Sequence, residues 1–231
     1  MTVHSIAALD QLEFPIEVIR TNRKKSASVQ VVDCQVQVII PQALSDQRIE
    51  QIVRDKTPWI RDKLRKQSLM KPKKPKEYVS GEAFAYLGKN YRLKLVQGSS
   101  EAVKLTLGKL VVGADTDIKR DLTSWYMQHA EKRLNEKVVR FAQVIGVEPK
   151  TVKVKDYKSR WGSCSSLGDI SFHWAIIMAP HYIVDYVVVH ELCHMLHHNH
   201  SPAFWQQVGK VLPNYSECRG WLKLNGQELK V

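Results

Sequence analysis

The feature that most constrains the fold is the stretch VVVHELCHMLHHNHSPAFW (residues 187–205), which holds five of the nine histidines of the chain. His190 and His194 are four residues apart, and an α-helix places residues at that spacing on one face, one turn from each other. Two imidazoles in that arrangement can bind one cation. The spacing therefore predicts a helix, although the β-branched run Val187–Val189 favours a strand by propensity alone. Burial on most sides explains the apolar run.

Glu191 directly follows the first of these histidines. On a helix it points about 100° away from His190, so its carboxylate can flank a metal ion without binding to it. Together these residues give the H-E-x-x-H pattern of metal-dependent hydrolases. In that pattern two histidines bind the metal, and the glutamate accepts a proton from metal-activated water.

A catalytic zinc site needs a third protein ligand and one open position. His200 is six residues after His194, and a continuous helix would point its side chain away from the metal. The chain must therefore turn first. We expect one helix to run from Pro180 through about His198 and the turn to lie at Asn199, a residue that tolerates the left-handed conformation.

The residues after this turn support the same prediction. Ser201 and Pro202 give a helix cap followed by proline at the first helical position, so another helix is expected to start there. The spacing H-E-x-x-H-x5-H equals that of the metzincins, although His197 stands where they have glycine. An acidic ligand such as Glu217 in place of His200 is the alternative.

Several nearby residues are predicted not to bind the metal. His197 and His198 are expected to support the site or to face solvent, and Cys193 to fill space in the core. The four cysteines lie far apart, which argues against a disulfide framework and is typical of the cytoplasm. We expect no signal peptide at the start of the chain, and no membrane span, because no apolar run is long enough to cross a membrane.

The remaining pattern predicts an α+β fold. Strands are expected within residues 16–40 and 78–113, together forming a small and mostly antiparallel unit, and again within residues 151–175. Helices are expected from about 45 to 66, from 116 to 146 and around Ser216–Leu224. Pro58 is expected to break the helix at 45–66 or to start a new one, whereas Asp117 and Gly146 are expected to cap the helix at 116–146.

The net charge of +12 is unevenly distributed. Residues 54–76 carry ten Lys or Arg against two Asp, a local excess of 10 − 2 = +8. Clustered cations release counterions from a phosphate backbone, so a nucleic-acid partner is one hypothesis. The alternative is a solvated helix face that continues into the lysine-rich linker KPKKPK at residues 71–76.

Three segments resemble one known family. RWGSCSS (160–166), YVVVHELCHMLHHNHSPAFW (186–205) and YSECRGWLK (215–223) are similar to the YgjP-like metallopeptidases, which are related to SprT-like zinc proteases. The resemblance implies one zinc ion held by His190, His194 and His200, with Glu191 as general base. It also implies a zincin-like core with a small antiparallel sheet and an active-site helix. His173 stands where relatives usually carry asparagine.

This resemblance gives a three-part organisation. Residues 1–76 are expected to hold the N-terminal strands, the basic helix and the linker. Residues 77–115 are expected to form a β-hairpin segment, and residues 116–231 the zincin-like metallopeptidase core.

The segment RWGSCSS also has a predicted physical role. In this protease architecture an edge strand near the metal receives the substrate as an added strand, and the small residues Gly162, Ser163 and Cys164 would let a peptide backbone approach. Arg160 would contact a substrate carboxylate or the oxyanion. The alternative is that Trp161 anchors the core and the rest forms a turn.

A further donor is needed for the oxyanion. Tyr157 and His173 are both candidates, and the sequence does not choose between them.

The sequence therefore predicts a cytoplasmic, zinc-dependent hydrolase that cleaves peptides or proteins. Imidazole ligands also suit iron, copper and nickel, so zinc is an expectation. One alternative is a nucleic-acid-associated protease of the SprT type that docks through residues 54–76. Another is a structural zinc domain without catalysis, in which Cys164 or Cys218 supplies a fourth ligand.

Overall fold

The computed structural model describes residues 12–23, 26–32, 34–68, 75–99 and 102–231. The chain divides into two compact units, Met1–Lys74 and Pro75–Val231. The organisation predicted above, with boundaries after residues 76 and 115, stays a prediction. Most of the predicted linker at residues 71–76 lies outside the described residues.

The first unit contains a three-stranded sheet. Its strands are β1 (Ile16–Thr21), β2 (Ser28–Val32) and β3 (Gln35–Pro41), in the order β1-β3-β2. β3 runs parallel to β1 and antiparallel to β2. Val36, Val38 and Ile40 are buried at every second position of β3, so the predicted alternation is confirmed.

One continuous helix, α1 (Asp46–Ser68), completes the first unit. Its buried residues Ile49, Val53 and Ile60 pack in the same core as the alternating valines of the sheet. The prediction that Pro58 breaks this helix is wrong. Pro58 is exposed, so the carbonyl it leaves unpaired can face water, and Ile60 anchors the helix beyond it.

The second unit begins with a four-stranded sheet. Its strands are β4 (Ala83–Tyr86), β5 (Lys89–Val96), β6 (Lys104–Thr106) and β7 (Lys109–Gly113), in the order β4-β5-β7-β6. The expectation of one antiparallel unit formed with the N-terminal strands is wrong. The two sets of strands form separate sheets. In the second sheet β6 lies at the edge and pairs antiparallel with β7, and β7 pairs parallel with β5.

The long helix α2 (Ile118–Ile145) is confirmed with both predicted ends. Asp117 caps its first turn by accepting a hydrogen bond from the backbone N–H of Arg120 at 3.0 Å. Gly146 ends it in the left-handed conformation, with φ of 78°.

A third sheet lies next to the histidine segment in sequence. It consists of β8 (Thr151–Lys155), β9 (Gly162–Cys164) and β10 (Asp169–His173), in the order β8-β10-β9. The expected antiparallel sheet is in fact mixed, because β10 runs parallel to β8 and antiparallel to β9. β9 is therefore an edge strand of three residues.

The C-terminal part is helical. A 3₁₀ turn (Trp174–Met178) leads into α3 (His181–Cys193), α4 (Pro202–Val211) and α5 (Tyr215–Asn225), which matches the predicted last helix. Helix α3 packs against α2, α4, α5 and β9, so its valines are buried on nearly every side. Among the residues described, none forms a helix both long and apolar enough to cross a membrane.

Candidate metal centre

Helix α3 ends earlier than predicted, at Cys193 instead of about His198. The backbone N–H groups of Met195 and Leu196 bond to carbonyls three residues back, at 3.0 and 3.1 Å, which tightens the helix into turns. The chain therefore leaves the helix axis directly after His194. The predicted turn at Asn199 is misplaced, but a change of direction between His194 and His200 is present.

This turn brings the three predicted ligands together. One ring nitrogen from each of His190, His194 and His200 lies within 4.8 Å of the others. The Nε2 atoms of His190 and His200 are 3.1 Å apart. In a tetrahedral zinc site with Zn–N bonds of 2.0–2.1 Å, ligand nitrogens are about 3.3 Å apart. The imidazoles are thus already close to the spacing that one small cation requires.

Helix α4 fixes the third histidine from the other side. Ser201 caps this helix by accepting a hydrogen bond from the N–H of Phe204 at 3.4 Å, as the sequence predicted. The rings of the next turn then line the site. Phe204 stacks on His194 with ring centroids 4.5 Å apart, and Trp205 stacks on His200 at 5.5 Å.

The protonation states suit metal binding. Nδ1 of His194 lies 3.0 Å from the carbonyl oxygen of His197, so it must donate its proton there. Nε2 of His194 is then left with a free lone pair. Burial, followed by the charges of His194, His200 and Arg219, lowers the pKa of His190 to about 3. His190 is therefore neutral at physiological pH, the form that binds metals.

No fourth ligand joins this cluster within the described part of the chain. The three histidines form a group without any further His, Cys, Asp or Glu, so it includes neither Cys164 nor Cys218 nor Glu217. Cys218 is buried elsewhere, with its thiol donating to the carbonyl of Tyr182 at 3.9 Å. The donor set is that of a site with an open position.

Glu191 lies beside the histidines in a buried position. It is 6% exposed, and burial raises the pKa of its carboxyl to about 8, with Arg160 acting in the opposite direction. A group with this pKa gains and loses protons near neutral pH. Among the described residues of the core, only Glu191 and Ser171 are buried polar or charged side chains.

The carboxylate of Glu191 packs against the backbone of Gly162 in β9. A Cβ atom built on Gly162 would lie 2.6 Å from both Cγ and Oε1 of Glu191. Real contacts of that kind are essentially never so short, so any larger residue at this position would displace the Glu191 side chain. The sequence analysis explained the small Gly162 by the space that a substrate backbone needs, and it missed this contact with Glu191.

Comparison with known proteins decides the family. The family model for the YgjP-like metallopeptidase domain matches residues 25–225. The chain is a YgjP-like metallopeptidase. A search of solved structures also finds the crystal structure of the metallopeptidase zymogen abylysin from Pyrococcus abyssi, with 24% identity and a TM-score of 0.36. That match covers 39% of this chain and 94% of the other. A search of curated proteins finds no match.

The other predicted site residues of this YgjP-like metallopeptidase surround β9. The hydroxyls of Tyr157 and Ser163 are hydrogen-bonded at 2.8 Å. The exposed guanidinium of Arg160 lies 5.7 Å from the centroid of the Tyr157 ring. Burial, followed by the charge of Glu191, raises the pKa of the Cys164 thiol to about 11, so this cysteine is a neutral thiol.

Trp161 and His173 form a stacked pair beside this strand, with ring centroids 5.3 Å apart. The backbone N–H of His173 donates to the carbonyl of Trp161 at 2.8 Å. Burial lowers the pKa of His173, and its Nδ1 is buried without a hydrogen-bond partner among the described residues. His198 is exposed and lies outside the group of three histidines, and its predicted supporting role stays a prediction.

Sequence reasoning missed the aromatic and basic residues that line the histidines from α4 and α5. Trp205 touches His200, and the guanidinium of Arg219 lies over the Trp205 ring at 4.9 Å. Tyr186, one turn before His190, meets its ring edge-on at 5.7 Å. The i, i+4 spacing of Tyr186 and His190 was a usable signal. The position of Arg219 depends on the packing of α5, which no local pattern reports.

Proposed function

We propose that this chain is a zinc-dependent peptidase with a zincin-like core. The observation that carries the proposal is the convergence of three imidazole nitrogens next to one buried glutamate. His190, His194 and His200 would hold the metal. When bound, the metal supplies Lewis-acid chemistry, which acidifies a water molecule and polarises a carbonyl group.

Glu191 is proposed as the general base. A carboxyl group whose pKa lies near neutral pH is a better proton acceptor than an exposed glutamate. Its contact with Gly162 fixes the carboxylate between the histidines and β9. From this position Glu191 would accept a proton from the attacking water and return it to the leaving amine.

The edge strand β9 is proposed to bind the peptide. In an antiparallel pair, alternate residues point both backbone groups toward the partner strand or away from it. The N–H of His173 donates to the carbonyl of Trp161, and the N–H of Ser165 donates to the carbonyl of Asp169. The backbone groups of Trp161 and Ser165 therefore point toward β10. The intervening Gly162 and Cys164 therefore point their backbone N–H and C=O groups to the open edge, where an extended peptide can pair.

Arg160, Tyr157 and His173 are the candidates for stabilising the oxyanion. Arg160 is favoured because its guanidinium is exposed, and its charge already acts on Glu191. The hydroxyl of Tyr157 is engaged with Ser163, and the ring of His173 is stacked on Trp161. A cytoplasmic location is proposed from the four free cysteines.

The experiment combines elemental analysis with digestion of a peptide library. The protein as purified is expected to contain about one zinc ion per chain, a ratio that follows from a single three-histidine site. Peptide cleavage should stop on chelation and return on addition of zinc. Glu191→Gln is expected to keep the metal and lose at least about 100-fold in kcat, the low end of the range for a general base.

Glu217→Gln is the matched control, because Glu217 is an exposed carboxylate on α5 outside the metal-binding group. This variant should keep full activity. Retained cleavage by Glu191→Gln would refute the role of Glu191. Cleavage that continues in the presence of a chelator would refute the requirement for a metal ion.

The two alternatives are weaker. A structural zinc domain needs a fourth protein ligand, and the histidine group includes none from the described residues. For the nucleic-acid hypothesis, Arg54, Arg61 and Arg65 in α1 each pair with a carboxylate, which lowers the free charge of this helix. Salt-dependent DNA binding that disappears when Lys71, Lys73, Lys74 and Lys76 are neutralised would still establish it.

A further inference from the structure

Arg219 lies close to the histidine cluster although it belongs to a different helix. Its Cζ atom is 4.9 Å from the centroid of the Trp205 ring, and that centroid is 5.5 Å from the ring of His200. The guanidinium therefore lies at most about 10 Å from the ring of His200. Trp205 also stacks on Tyr215 at 5.3 Å, so the indole that carries the guanidinium is itself held in place.

Within the described part of the chain, the guanidinium has no partner of opposite charge. It is exposed, and among the described residues it forms neither an ion pair nor a hydrogen bond. Its positive charge is held near the histidine cluster by the Trp205 ring. Arginine keeps this charge at any pH at which the protein is folded.

A fixed cation beside a cation-binding site repels the ion, and an anionic group between them relieves the repulsion. A guanidinium also pairs with carboxylates through two parallel hydrogen bonds. The distance suits a peptide: an extended chain advances 3.3–3.6 Å per residue, so about 10 Å corresponds to roughly three residues.

We propose that Arg219 binds a carboxylate of the peptide substrate, within about three residues of the cleaved bond. This inference rests on the proposed peptidase function and gives it a specificity. The carboxylate is either an acidic side chain or the C-terminus of the peptide.

The experiment compares matched peptides that differ only in charge. One series carries Glu, Gln or Lys at each position within three residues of the cleaved bond, and each peptide is made with a free and with an amidated C-terminus. Wild-type protein is expected to cleave the best acidic peptide about 10- to 100-fold more efficiently, in kcat/KM, than its neutral counterpart. Loss of the preference on Glu→Gln exchange identifies a side-chain carboxylate, and loss on amidation identifies the C-terminus.

Variants at Arg219 test the contact itself. Arg219→Gln should bring the acidic-to-neutral ratio close to one, Arg219→Lys should retain part of it, and Arg219→Glu should favour the Lys peptides. Arg140→Gln is the matched control, because Arg140 is also exposed and lies over an aromatic ring, Phe141, at 5.0 Å. Arg140 belongs to α2 and should not affect the ratio.

Failure of this inference can be told from failure of the proposed function. If wild-type protein cleaves peptides with no charge preference, or if Arg219→Gln keeps the preference, the role of Arg219 is refuted and the peptidase function stands. If no peptide is cleaved, the proposed function fails. Binding of the same peptide pairs to the Glu191→Gln protein, followed by intrinsic tryptophan fluorescence, then tests Arg219 alone: equal affinities would overturn the contact.

Discussion

Replacing Glu191 with glutamine should stabilise the metal-free protein at neutral and alkaline pH. The pKa of this carboxyl is raised from 4.5 to about 8 in the folded protein. Between these values the folded state binds more protons than the unfolded state, so raising the pH favours unfolding. Each pKa unit corresponds to about 1.4 kcal/mol, which gives a ceiling of about 5 kcal/mol for this one side chain. That is comparable with the whole stability of a small domain.

His190 acts in the opposite direction but in a different pH range. Its pKa is lowered from 6.5 to about 3, so it makes the folded state more stable as the pH rises to 6.5 and has no further effect above that. Between pH 6.5 and 9 the contributions of the cysteines with raised pKa values are largely shared by the two proteins, so the comparison with Glu191→Gln isolates Glu191. In that interval the stability of wild-type protein relative to Glu191→Gln should fall by about 1.4 kcal/mol per pH unit and level off above pH 8.

The assay is urea unfolding of chelator-treated protein, monitored by tryptophan fluorescence. Five of the six tryptophans belong to the unit that contains Glu191, so the signal reports mainly on that unit. Adding zinc should reduce the pH dependence, because a nearby cation stabilises the carboxylate. Equal pH dependence of the two metal-free proteins would refute the reasoning, since Glu191 would then ionise as an exposed carboxyl does.

Two further predictions concern packing near the site. Gly162→Ala should displace the Glu191 carboxylate and lower kcat at least about 10-fold, with the metal retained. The control Gly220→Ala has no atoms near the added Cβ, so it should stay active and be slightly more stable. Equal activities of the two variants would contradict the packing argument. Lys137→Met should cost about 3 kcal/mol of unfolding free energy, because Lys137 and Asp185 pair at 2.5 Å in a mostly buried contact between α2 and α3. Arg120→Met, which removes an exposed pair, should cost less than about 0.5 kcal/mol. Denaturant unfolding of both variants checks this difference.

Local signals predicted much of the fold. The capping residues of α2, the Ser-Pro start of α4 and the alternation in β3 are properties of a few neighbouring residues, and each is confirmed. The failures depend on distant contacts. Pro58 is tolerated because Ile60 anchors the helix beyond it in the core, and β7 is parallel to β5 because β6 occupies its outer side.

The candidate site divides in the same way. Helical spacing predicted that His190 and His194 would share a face, and the need for a third ligand pointed to His200. The predicted end of α3 was wrong because the chain forms tight turns after Cys193, in which the His194 ring also bonds to the His197 carbonyl. Neither the contact between Gly162 and Glu191 nor the position of Arg219 could be predicted, because each joins elements that are far apart in sequence.

The imidazoles of His190 and His200 differ in their exposure to solvent, and this gives the site an open side. His190 belongs to a helix enclosed by other elements, whereas His200 is exposed on the short segment between two helices. Solvent therefore reaches the cage from the side of His200, and we expect a metal ion to enter and leave on that side.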